Sequence, residues 1–442
     1  MQLVSYGAQD IYLTGNPQIT FFKLVYRRHT NFSMESIQQT WLGKVGFGET
    51  VSATISRNGD LMSRMYLECH AKCETGVSSG NHLTANPGSA MIKTVELEIG
   101  GQTIDKHYGH SMEAWAMLSQ MNETGRLATM IASKDTTLEN GADTINGTTF
   151  QSMSLMGGVH GHLGGTSLHN LGHHIGKFWV PLQFWFCNNP GLALPLIALQ
   201  YHEVKLRISF CDSGNFITPT HTGLVLYSDL WVDYIYLDTD ERRRFAQVSH
   251  EYLIEQLQFQ NEPSDTATTY LLKFNHPVKE IIWAGRPHDH NEDNIGETTY
   301  KTVQGVSTHT TLRGKTYKLR MNGNDRFAER DVKYFTRTQV WQHHPMGSGG
   351  HEMINQNTRD DSIAVYSFAL KPEEHQPSGT CNFSRIDKVE LVATNAQTYT
   401  DTQPEVVDSS TNNKPLSGIH IYARNYNILR IVAGMGGLAF SN

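Results

Sequence analysis

Short runs of β-branched and aromatic residues, broken by clusters of turn residues, dominate the chain. Leu230 to Leu237 (Leu-Trp-Val-Asp-Tyr-Ile-Tyr-Leu) and Tyr252 to Phe259 read as strands. Val51 to Ala71 reads as a hairpin about Arg57-Asn58-Gly59-Asp60, because Asn-Gly suits the positive φ angles of a type I′ turn. Val95 to Asp105 is a second hairpin about Gly100-Gly101, and Tyr317 to Phe327 its counterpart about Asn322-Gly323. Helical spacing is rare. Ser111 to Met121 carries Met112, Trp115, Leu118 and Met121 at helical spacing, suited to a helix packed on a sheet, and Asp238 to Gln247 is a charged turn of helix. Many short strands with regular turns predict an all-β chain of sandwiches.

The second half of the pattern echoes the first. Glu35-Ser36-Ile37-Gln38-Gln39 answers to Glu255-Gln256-Leu257-Gln258-Phe259 at an offset of 220, and Glu96 to Gly101 answers to Lys318 to Gly323 at 222. Phe186 and Pro190 match Phe368 and Pro372 at 182, and Tyr201 to Leu206 matches Ile386 to Leu391 at 185. Four weak pairs in one order indicate a doubled β-unit, with the extra length of the first copy between Gly101 and Phe186. The Ser, Gly, Asn, Thr and Pro residues of Ser213 to Gly223 place the boundary there, with strands resuming at Leu224. This gives units at 29–223 and 224–442, preceded by an extended arm at 1–28. Asn122 to Gly176, Gly285 to Gly314, His343 to Asp361 and Thr394 to Leu416 read as long surface loops.

A chain of 442 residues accommodates two such units. With 38 % hydrophobic and 18 % charged residues it can pack cores, and its net charge of −7 gives no footprint for nucleic acid. Lys23, Arg27 and Arg28 are a local exception that reads as a solvated edge. The start, Met1 to Tyr6, lacks the pattern of a secretion signal, and Leu192 to Leu199, interrupted by Pro195, is too short to span a bilayer. The five cysteines are Cys69, Cys73, Cys187, Cys211 and Cys381. Cys69 and Cys73 on one extended strand stand about 13 Å apart, too far for a disulfide, so free thiols are expected.

No motif rises to catalysis. His160, His162, His169, His173 and His174 lie in Gly157 to Gly176 without an acid or thiol to complete a site, and read as an exposed polar loop. His288-Asp289-His290 has Glu292 two positions on, at the wrong spacing for a metal-binding jelly-roll enzyme, and His351-Glu352-Met353-Ile354-Asn355 lacks the second histidine of a zinc protease. Gly434 to Gly437 has no helix to follow it, which argues against a dinucleotide site, and neither a phosphate loop nor a Gly-x-Ser-x-Gly elbow occurs. No catalytic, cofactor or metal residue is therefore assigned. Asn31, Asn122, Asn146 and Asn382 begin glycosylation sequons.

Several long stretches carry a resemblance: Ser5 to Thr40, Ser56 to Leu61, Val95 to Tyr108, Pro190 to Leu206, Trp231 to Phe259, Asn322 to Phe327, Tyr366 to Asp387 and Ile421 to Asn442. In these the chain resembles the double jelly-roll major capsid proteins of large icosahedral DNA viruses, in particular the algal-virus (phycodnavirus) type. The stretches cover about half the chain, in both repeats. The resemblance implies two consecutive eight-stranded jelly rolls and a homotrimeric capsomer of pseudo-hexagonal outline. It implies contacts with neighbouring capsomers and minor capsid proteins, and an internal membrane close by but not spanned. It also implies surface glycans on outward loops, assembly in the host cytoplasm, no direct nucleic-acid contact and no cofactor. The His-rich loop has no counterpart in that family. The competing class is a jelly-roll lectin or carbohydrate-active enzyme, which needs a cleft of convergent carboxylates or a metal. Apolar Ile428 to Phe440 is expected either at a subunit interface or as a final core strand.

Overall fold

The computed structural model describes residues 7–73, 82–83, 86–121, 148–159, 174–218, 223–262, 269–285, 302–303, 306–307, 315–347, 349, 363–395 and 419–441. Two β-sandwiches of one topology follow each other. The first is built from β1 (Phe32–Gln39), β2 (Thr50–Thr54), β3 (Leu61–Cys73), β4 (Ile92–Ile99), β5 (Gln102–Tyr108), β6 (His174–Pro181), β7 (Val204–Phe210) and β8 (Leu224–Leu237). One sheet runs β1-β8-β3-β6 and the facing sheet β2-β7-β4-β5, antiparallel throughout. The second comprises β9 (His250–Glu262), β10 (Thr269–Leu272), β11 (Pro277–Gly285), β12 (Lys315–Met321), β13 (Asn324–Asp325), β14 (Ile363–Ser367), β15 (Val389–Asn395) and β16 (Ile419–Val432). Its sheets, β9-β16-β11-β14 and β10-β15-β12-β13, repeat the same order. Strands that alternate between two facing sheets in this sequence define a jelly roll.

Alternation makes the cores. Along β7 the burial runs in and out at every residue, so Val204, Leu206, Ile208 and Phe210 point inward and meet Met62, Leu67, Phe178 and Val180 of the opposite sheet. The second core packs Ile281, Trp283 and Ile421 against Tyr270, Leu319 and Leu391. Helices are short: α1 (Gly109–Ser119), α2 (Thr239–Gln247) and α3 (Gln339–His343) matter most. Asp238 caps α2, and Asp240 and Glu241 in its first turn suit its N-terminal dipole.

The echoes fall on equivalent places. They lie on β1 and β9, on β4 and β12 with their turns, after β6 and β14, and at the starts of β7 and β15. Gly100-Gly101 and Asn322-Gly323 close two-residue turns with φ of 60° and 83° in one, 50° and 81° in the other.

Two expectations fail. The boundary at 223/224 is wrong, because β8 returns from beyond Ser213 to Gly223 to pair with both β1 and β3. The first sandwich ends at Leu237, and α2 is the joint. Val51 to Ala71 is not a hairpin either. β2 pairs with β7 and β3 with β8, in opposite sheets, and residues 55–60 cross between them. Gly59 serves close approach rather than a turn: a Cβ there would lie 2.7 Å from Cβ of Tyr234.

Candidate assembly surface and the seam between the sandwiches

The strand register fixes which ends share a side. The end of β3 lies beside the starts of β6 and β8, through Lys72↔His174 and Cys73↔Leu224. The end of β11 likewise lies beside the starts of β14 and β16, through Ala284↔Ile363 and Gly285↔Ile419. The four long connections join these ends, so each sandwich roots them at one end. Most of their residues, including His160, His162, His169, His173, His288, His290, His351, Asn122 and Asn146, lie outside the described residues. Phe32 pairs with Leu237, at the opposite end, so the arm enters away from the loops.

Contacts at both ends hold the two sandwiches side by side in the same sense. At the arm end, a hairpin from β16 to β17 (Met435–Leu438) reaches across. The Tyr201 N–H donates to Gly434 O at 3.0 Å, and His202 Nδ1 lies 2.9 Å from Gly436 O. A Cβ on Gly434, whose φ is +82°, would lie 2.6 Å from the Tyr201 ring. Leu429 and Ile431 enter the first core. The C-terminal segment therefore lines the intramolecular seam. At the loop end, Gly349 N–H donates to Met117 O at 3.1 Å, and Gly347 lies against α1, where a Cβ would fall 1.8 Å from Leu118 O.

The sheet β9-β16-β11-β14 is consequently buried on both faces. Ile281, Trp283 and Ile421 face inward, while Ile282, Val365 and Tyr422 meet Ala114, Met117 and Leu118 of α1. Within this outer face sits an ionic centre. Glu255 of β9 pairs with Lys279 of β11 at 2.8 Å and with Arg424 of β16. Arg424 also reaches Glu280 at 3.3 Å, and His375 lies 3.4 Å from Glu255. Fully buried His344 presents Nε2 to Glu280 at 2.9 Å and Nδ1 to Glu373 at 2.8 Å. Both ring nitrogens must donate, so the ring is an imidazolium. Burial opposes its charge, but the two carboxylates outweigh burial and raise its pKa to about 9. Glu280 stays below the usual carboxylate range and Glu255 falls to about 2, the surrounding cations overcoming desolvation. Burial, then Arg424, lowers Lys279 to about 8. Three carboxylates thus meet Lys279, Arg424 and His344, a neutral balance in the interior.

These groups are cross-paired rather than left open to a reacting atom, which suits a structural lock. Spacing in the sequence gives no hint of the centre, because its members come from five separated segments. A local signal does exist: Lys279-Glu280 interrupts an otherwise apolar strand, Pro277 to Gly285.

A second buried acid roots a loop. Glu113 of α1 accepts from Ser89 Oγ at 2.8 Å, Gly157 N–H at 2.8 Å and Gly158 N–H at 3.1 Å. Burial raises its pKa to about 7 against these bonds.

Cys69, Cys187 and Cys381 are free thiols and Cys211 forms no disulfide, while the Cys73 side chain lies outside the described residues. Burial pushes the Cys69 and Cys187 thiols up to about 12, which keeps them unreactive. Asn31 and Asn382 of the sequons are exposed. Among the described residues no three His, Cys, Asp or Glu side chains are placed to hold a metal ion, and no helix is long and apolar enough to cross a membrane.

Two like jelly rolls locked in one chain define the double jelly-roll class of capsid proteins. The family of major capsid protein N-termini matches residues 20–238, and that of large eukaryotic DNA virus major capsid proteins matches residues 241–437. The gap between the matches coincides with the start of α2. The major capsid protein of Pyramimonas orientalis virus is 46 % identical over all of this chain and 99 % of its own. That of Paramecium bursaria Chlorella virus 1 is 40 % identical, again over 100 % and 99 %. A quasi-atomic model of the PBCV-1 virus capsid has a chain 36 % identical, with a TM-score of 0.68, covering 96 % of this chain and 100 % of its own. This chain belongs to the major capsid protein family of large eukaryotic DNA viruses. It is a structural component of the virion capsid, not an enzyme.

Proposed function

We propose that three copies form a capsomer of pseudo-hexagonal outline that tiles the icosahedral shell of a large double-stranded DNA virus. The observation that carries this is the side-by-side, same-sense locking of two sandwiches of one topology. Each chain offers two similar wedges, and three chains about a threefold axis give six. Heterologous contacts between the first sandwich of one copy and the second of the next then close a ring. An obligate interface of this kind buries more than about 2,000 Å².

The polarity of each sandwich orients the tile. The long connections face outward, where host contacts and glycans belong, and the arm faces inward, towards minor capsid proteins and an internal membrane that it does not cross. Assembly takes place in the host cytoplasm. Mass photometry of the purified protein tests the trimer: a species at three times the 49.7 kDa of one chain is expected at nanomolar concentration. A folded protein that stays monomeric at micromolar concentration refutes it.

A further inference from the structure

The arm and the outermost strand of the first sandwich are each incomplete. In residues 7–31 the side chains of Ile11, Tyr12, Leu13, Ile19, Phe21, Phe22, Leu24, Val25 and Tyr26 are 68 % to 99 % exposed. So much contiguous apolar surface marks a binding element. Gln18 to Tyr26 also has strand composition, being rich in aromatic and β-branched residues. β1 closes one end of its sheet. It pairs with β8 along its whole length, and among the described residues no strand pairs with its other side. Phe32 and Met34 on this strand are half exposed. An open edge of eight residues is a template for another strand.

The charges are complementary. The arm carries Lys23, Arg27 and Arg28. Glu35 lies on the edge strand itself, and Asp233 pairs with Ser36 directly behind it. Asp229 stands opposite Glu68, a like-charged cross-strand pair, and Lys177 pairs with Glu68. The arm does not lie on its own edge. After a turn at Phe21-Phe22 it runs through residues 24–31 directly into β1, and no described part of it pairs with that strand's free side.

We propose that residues 18–26 of one copy add as an extra strand to the free edge of β1 in a neighbouring copy. Backbone hydrogen bonds would supply affinity, Phe32 and Met34 an apolar contact, and the carboxylates around β8 the register for the basic residues. This rests on the self-assembly reading and names the surface it uses.

Photo-cross-linking tests it. The full chain carrying p-benzoylphenylalanine at position 22 is co-expressed with a tagged, otherwise native copy, irradiated as the assembled species and mapped by mass spectrometry. Phe22 is 99 % exposed, so the substitution leaves folding intact. Cross-links to residues 32–39 or 225–237 of the tagged copy are expected, with yield reduced several-fold by Asp233→Lys in that copy. Cross-links within one chain only, to another surface of the tagged copy, to another protein, or absent from an assembled species overturn the arm proposal and leave the capsomer reading standing. A purely monomeric protein by mass overturns both.

Discussion

The guanidinium carbon of Arg424 lies 3.5 Å from the centroid of the Trp115 indole. Arg424 belongs to the last long strand of the second sandwich and Trp115 to the helix that caps the first, so one stacked pair spans the seam. Glu255 and Glu280 pair with the same guanidinium. Replacing Trp115 with Ala removes a desolvated cation–π contact of about 2 kcal/mol plus packing. Replacing Arg424 with Met is worse, because it leaves two buried carboxylates short of a cation, a defect of about 3–5 kcal/mol. Chemical denaturation should rank them Arg424→Met below Trp115→Ala below wild type. Equal stabilities would remove the seam's claimed role.

His344 gives the seam a pH dependence of fixed sign. Its folded pKa of about 9 lies above the ordinary 6.5. The stability it adds is therefore fully present below pH 6.5 and is lost as pH rises through about 9. Lys279 works in the opposite sense: its depressed pKa of about 8 relieves a cost between there and 10.5. The comparison that isolates the histidine is wild type against His344→Gln. The gap in melting temperature should be widest near pH 6 and shrink by pH 9.5. A gap independent of pH would mean that the ring is not charged in the native protein.

Glu113 runs the other way from most acids. Its raised pKa of about 7 makes the folded protein bind a proton that the unfolded chain has released above 4.5. Its contribution to stability therefore falls as pH rises from 4.5 to 7. Glu113→Gln keeps an acceptor for the two glycine N–H groups and removes the buried charge, so at pH 8 it should match or exceed wild type. Glu113→Ala strands the Gly157 N–H, while Ser89 Oγ and Gly158 N–H keep Asn86 as an acceptor, and should lose about 1–3 kcal/mol. Thermal melts of both variants at pH 5 and 8 check this, and a Glu113→Gln protein much weaker than wild type at pH 8 would contradict it.

Gly434 tests the arm-end contact. Alanine there meets both a left-handed backbone and the Tyr201 ring, and should cost about 1–3 kcal/mol. Gly101→Ala is the control, because its φ is also positive but no atom lies within 4 Å of the added Cβ. It should cost only about 1 kcal/mol. Comparable losses in the two would show that close packing against Tyr201 is irrelevant.

The doubled unit was legible because strand positions repeat with their turns: the glycine pair at 100–101 and Asn322-Gly323 adopt the same angles for the same two-residue link. What misled was local chemistry without partners. Asn58-Gly59 has the composition of a tight turn, yet its flanking strands are claimed by different sheets. Ser213 to Gly223 has the composition of a linker, yet β8 beyond it is taken back between β1 and β3. Strand pairing is non-local, and neither case could be decided within a short window. The ionic centre was invisible for the same reason, since Glu280, His344, Glu373 and Arg424 lie on separate segments of the second sandwich that meet only when it folds. Apolar Ile428 to Phe440 showed its burial but not what it is buried against.

The central claim, that one chain supplies two of six wedges in a closed ring, is tested most directly by electron microscopy of the purified protein. Class averages of single particles viewed down the symmetry axis should show a six-lobed ring with true threefold symmetry, and the lobes should alternate in two kinds. Averages of isolated two-lobed particles, or of rings with other than three chains, would contradict the account.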